Sequence, residues 1–108
     1  MTEVYVKQGD LLPVVEGTLY FEDETGMDLT GCTAKFHMID KDGTVKVDAA
    51  AVIIDVGPPG VVEYQWSGSD TDTPGRYRAE FEVTRPDGKT QTWPTLEPLH
   101  IIILEQYA

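Results

Sequence analysis

Arg76-Tyr77-Arg78-Ala79-Glu80-Phe81-Glu82-Val83-Thr84-Arg85 alternates from end to end. In an extended chain Tyr77, Ala79, Phe81 and Val83 share one face, and Arg76, Arg78, Glu80, Glu82 and Thr84 share the other. A helix would scatter these residues around its axis. A strand with one buried and one wetted face sorts them cleanly. The segment therefore reads as a β-strand. Pro86-Asp87-Gly88 behind it reads as a hairpin turn, because Asp-Gly supplies the positive φ that such turns require.

The same alternation recurs outward. Val61 to Trp66 points Val62, Tyr64 and Trp66 inward, after the break at Pro58-Pro59-Gly60, and Ser67 to Gly75 is a polar loop. Thr33 to Asp40 sets Ala34, Phe36 and Met38 against Lys35 and His37, and Lys41-Asp42-Gly43 is a second hairpin turn. Val45 to Val47 and Ala49 to Val56 read as two strands. Ala49-Ala50-Ala51 favours a helical turn, but the β-branched residues after it and the short length favour a strand. Gly17 to Glu22 places Leu19 and Phe21 on one face, and Glu3 to Gln8 suits an edge strand. Thr90 to Trp93 and His100 to Leu104 end the series, interrupted by Pro94 and Pro98. About seven to nine short antiparallel strands at regular spacing predict an all-β, immunoglobulin-like β-sandwich.

The length of 108 residues suits a single domain over residues 1–108. No apolar run approaches the roughly 20 residues of a membrane helix, so no membrane partner is expected. The start, Met1 to Lys7, lacks the basic and apolar regions of a secretory leader, which predicts synthesis in a cytoplasm. The formal net charge is −11, the wrong sign for releasing counterions from phosphates, so no nucleic-acid partner is expected. Cys32 is the only cysteine, which excludes an intrachain disulfide and disfavours a cysteine zinc site.

Motifs for chemistry are sparse. His37 and His100 stand far apart, and no Ser-His-Asp arrangement can be built on them. Asp70-Thr71-Asp72-Thr73 lacks the glycine and terminal glutamate of a calcium loop and reads as capped turns. No catalytic residue, metal site or cofactor is expected. Gly75 and Tyr77 carry the clearest structural signal: a turn, a glycine, then a tyrosine opening a strand, as in a tyrosine corner. The plainer reading makes Tyr77 an ordinary core aromatic. Trp93, beside Pro94, is the candidate for a sugar-stacking platform, whereas Trp66 reads as core.

Three stretches, taken together, point further. They are Lys7-Gln8-Gly9-Asp10-Leu11-Leu12-Pro13, Asp28-Leu29-Thr30-Gly31-Cys32-Thr33-Ala34-Lys35-Phe36-His37-Met38, and Asp72-Thr73-Pro74-Gly75-Arg76-Tyr77-Arg78-Ala79-Glu80-Phe81-Glu82-Val83. In this order they resemble the immunoglobulin-like N-terminal domain of phage baseplate upper proteins and the small phage proteins related to it. Cys32 stands where the family usually has alanine. The resemblance implies a non-enzymatic structural or assembly module of a tailed phage virion: a baseplate or tail component, or a capsid or fibre decoration protein. It implies other virion proteins as partners, a multi-copy or homo-oligomeric arrangement, and no catalytic residues. Baseplate upper proteins are longer and add domains that hold receptor-binding proteins, whereas this sequence ends at Ala108. The alternative reading is a carbohydrate-binding or host-adhesion module.

The last strand carries one more expectation. In His100-Ile101-Ile102-Ile103-Leu104, Ile101 and Ile103 can fill a core, which leaves Ile102 and Leu104 on the opposite face. Either a loop covers them, or they form a contact surface for a second subunit or another virion protein.

Overall fold

A computed structural model of the chain describes residues 3–108. Met1 and Thr2, the start of the stretch read for a leader, lie outside the described residues. Eight strands follow in order: β1 (Glu3–Lys7), β2 (Val15–Leu19), β3 (Thr33–Ile39), β4 (Val45–Asp55), β5 (Gly60–Tyr64), β6 (Gly75–Thr84), β7 (Thr90–Trp93) and β8 (Leu99–Leu104). No helix occurs among the described residues, and Cys32 is a free thiol.

β6 organises the sheet. β3 lies along one edge, while β8 pairs with its first half and β7 with its second. The hydrogen-bonded order is β1-β8-β6-β3-β4-β5-β2, with β7 on β6. The Trp93 ring of β7 packs on Gly17 of β2, so the sheet nearly closes on itself. All the expected inward residues of β3, β5 and β6 are buried. Phe36 of β3 stacks on Tyr64 at 4.5 Å and meets Trp66 edge-on at 5.9 Å and Phe81 at 5.2 Å. Such aromatic pairs add about 0.5–1.5 kcal/mol each beyond the area they bury.

The Asp-Gly turns act as their sequence requires. Gly43 and Gly88 both take φ 87°. The Asp40 carboxylate accepts from the backbone N–H groups of Asp42 and Thr44, both at 2.9 Å. These bonds pin the β3–β4 hairpin.

Four expectations are corrected. The strands are not all antiparallel: β1 runs parallel to β8, with Glu3 opposite His100 and Lys7 opposite Leu104. The rest of the fold connects these two strands, so no tight turn forces them to oppose. Val45 to Val47 and Ala49 to Val56 form one strand, β4, because Asp48 continues the ladder opposite His37. β4 pairs with β3 up to Ala51 and with β5 from Val52, and its register shifts between Ile53 and Asp55. β2 begins at Val15 and ends at Leu19, because Phe21 turns away into a loop closed by its N–H bond to the Thr25 carbonyl at 2.8 Å. Val61 to Trp66 shortens to β5, yet Trp66 beyond its end is only 3% exposed.

Candidate assembly surface

The outer face of β1, β8 and the first half of β6 forms a grid. Ile102 sits between Tyr5 of β1 and Arg76 of β6, and His100 sits between Glu3 and Arg78. Ile102 is half-buried, while Leu104 is 40% and Tyr5 53% exposed. The remaining neighbours are ionic. Arg76 Nη2 lies 2.8 Å from a Glu3 carboxylate oxygen, and the Tyr5 hydroxyl donates to the other at 2.9 Å. These bonds, Arg76 first, hold the Glu3 carboxyl below its ordinary pKa. Lys7 reaches over the exposed Tyr107 ring at 4.3 Å.

Farther along the same face, register brings Asp48, His37 and Glu80 into one row across β4, β3 and β6. His37 Nδ1 lies 3.3 Å from Glu80, and Nε2 lies 3.4 Å from Asp48. Lys35 bonds Asp48 at 2.7 Å, which lowers the Asp48 pKa and raises that of Lys35. The two carboxylates face different ring nitrogens, which is a bridging arrangement rather than a metal site. Among the described residues, no group of three His, Cys, Asp or Glu side chains could hold a metal ion.

At the end of the molecule, the Tyr77 hydroxyl donates to the Thr73 carbonyl at 2.7 Å. Burial raises its pKa. Gly75, at φ 151°, occupies a conformation that side chains rarely adopt, against the Tyr77 ring. The first turn is tied to the same corner. Gly9 N–H bonds the Thr71 carbonyl at 2.9 Å, and the buried Thr71 hydroxyl donates to the Asp10 carbonyl at 2.9 Å. Gln8 Nε2 donates to the Asp72 carbonyl at 2.9 Å, and Trp66 Nε1 to the Pro13 carbonyl at 2.8 Å. The Tyr64 hydroxyl donates to Asp70, and burial together with that bond pushes its pKa up to about 12. Lys46 bonds Asp72 at 2.6 Å. The polar loop is therefore a hub, joined to the chain start and to β4. The sequence signalled its turns but not its partners.

Trp93 is half-buried. Its ring lies 6.4 Å from Phe81, and a Cβ added at Gly17 would meet it at 2.6 Å. It also lines an open cleft of about 430 Å³ with Tyr20, Phe21, Pro94 and Leu96. The structure thus brings Gly75 to Tyr77 and sets Ile102 near Leu104, while Trp93 lies apart from both groups.

Two of the three stretches that drew the family resemblance, Lys7 to Pro13 and Asp72 to Val83, meet at this corner. The family model of the BppU N-terminal domain, a phage baseplate upper protein domain, matches residues 2–94. The chain belongs to this family. No curated protein matches it. In this BppU N-terminal domain, the match takes in the Gly9–Thr71 and Tyr77–Thr73 bonds. It stops short of β8, so Ile102 and Leu104 lie on a strand beyond the matched residues that completes the matched sheet against β6.

Proposed function

We propose that this BppU N-terminal domain is a non-enzymatic assembly module of a tailed phage virion. It seats on other virion proteins through the outer face of β1 and β8. The observation that carries the reading is the apolar strip of Tyr5, Ile102 and Leu104 on a chain of net charge −11. Such a charge favours solubility and self-repulsion, so adhesion is favoured where carboxylates give way to apolar surface. Family membership favours the baseplate as its place. The polar side chains that chemistry would need are spent on structure: His37 between two carboxylates, Asp70 on Tyr64, and Asp72 on Lys46. We read the architecture as an immunoglobulin-like sandwich in which β4 passes from one layer, beside β3, to the other, beside β5. The shared aromatic core between β3 and β5 supports that reading.

Ile102→Asp tests the surface. The variant is expected to keep its circular dichroism spectrum and to lose occupancy on purified particles. Leu104→Asp, at the more exposed site, is expected to act in the same direction. Full occupancy of both folded variants would remove this face from the interface.

A further inference from the structure

β1 ends the hydrogen-bonded order, and β8 is its one paired neighbour among the described residues. Alternate residues of such a strand address opposite edges. Gln8 N–H bonds the Leu104 carbonyl at 2.7 Å, which places the backbone groups of Val4, Val6 and Gln8 on the β8 side. The N–H and C=O groups of Glu3 and Tyr5 and the N–H of Lys7 therefore point to the open edge, where the Lys7 carbonyl already accepts from the Asp10 N–H at 2.9 Å. Unpaired strand edges are templates for further pairing.

The sequence of this edge is self-complementary. Glu3-Val4-Tyr5-Val6-Lys7 has opposite charges at its ends, valines inside them, and a tyrosine at its centre. We propose that β1 pairs antiparallel with β1 of a second copy, centred on Tyr5. In that register Tyr5 faces Tyr5, each valine faces a valine, and Glu3 of each copy faces Lys7 of the other. The Tyr5 pair then exchanges both backbone bonds, and each Lys7 N–H meets a Glu3 carbonyl of the other copy. A one-residue slip would set outward-pointing groups against inward-pointing ones. A two-residue slip would keep the ladder but lose both ion pairs. The charges at the edge are suited to this: Glu3 is positioned by Arg76, and among the described residues Lys7 contacts an aromatic ring and a carbonyl but no carboxylate. Two chains of charge −11 repel elsewhere, so the edge attracts only in this register. The two-fold axis stands perpendicular to the sheet, so both Ile102 patches lie on one side as a single platform. This pairing stands on the strand itself and goes beyond the assembly reading.

Sedimentation equilibrium of the full chain, from about 10 µM to about 1 mM, tests it. The wild-type chain is expected to show a monomer–dimer equilibrium. Lys7→Glu sets Glu3 against a like charge and is expected to weaken the dimer at least tenfold. Tyr5→Pro removes an N–H that β8 does not use and is expected to give a folded monomer. Glu3→Lys and Lys7→Glu chains are each expected to be monomeric alone and to form a heterodimer when mixed. A wild-type chain that stays monomeric throughout overturns the proposal, as does a dimer indifferent to Lys7→Glu and Tyr5→Pro. Either result leaves the particle test of Ile102→Asp standing, so the two readings fail separately.

Discussion

Single atoms hold the corner where the chain start meets β6. Tyr77 is 5% exposed, and its hydroxyl reaches the Thr73 carbonyl at 2.7 Å. Tyr77→Phe keeps the packing and deletes the bond, and is expected to cost about 1 kcal/mol, read as a lower denaturant midpoint at unchanged slope. An unchanged midpoint would reduce Tyr77 to packing. Gly17 makes a second claim at this scale. Its backbone takes an ordinary conformation, so its lack of a side chain serves the Trp93 ring rather than φ. Gly17→Ala is expected to cost about 1–3 kcal/mol by overpacking and to shift tryptophan emission as the ring is displaced. A stable variant with unchanged emission would show that the contact is slack. The turn glycines were legible from Asp-Gly alone, because φ is a local property. Gly17 was not, because nothing local marks a ring arriving from a strand some seventy residues away.

Strands were legible where burial alternates. The inner faces of β3, β5 and β6 follow the sequence residue for residue, because period-2 burial is written directly into the chain. Pairing was not legible. The parallel run of β1 on β8, and the continuity of β4 through Asp48, depend on which strands meet across the core. The same holds for the candidate surface. Ile102 and Leu104 were visible as an excess of apolar residues, but Tyr5 and Arg76 became their neighbours only through register. Register also sets the ion pairs, and these give the strands an acid limb. Lys35 holds the Asp48 carboxyl below its ordinary pKa, Arg76 does the same for Glu3, and Lys46 for Asp72. A carboxyl whose folded pKa is depressed stabilises the fold above its unfolded value and ceases to do so as pH falls through the folded one. Stability is therefore expected to decline below about pH 4, the ordinary carboxylate range. The Lys35 ammonium shifts upward, so its share is complete below its ordinary value and fades at alkaline pH, as pH rises through the raised one. Lys35→Gln is expected to flatten the acid limb in denaturant midpoints measured between about pH 7 and pH 3. An acid limb as steep as that of the wild type would contradict this.

The described residues form a slender all-β body, 45 by 23 by 20 Å, on a chain of net charge −11, with exposed apolar side chains on β1 and β8 and others at Val52, Ile54 and Val56. The family match covers the turns and strands up to Pro94, and it identifies the domain. The face proposed for docking depends on β8 beyond it. Family membership favours a place in the virion baseplate. Quantitative mass spectrometry of purified particles, combined with gold-labelled antibody against the folded domain, tests it most directly. The chain is expected at a fixed copy number per particle, with label at the tail tip. A chain absent from washed particles and recovered only in the soluble lysate would contradict it.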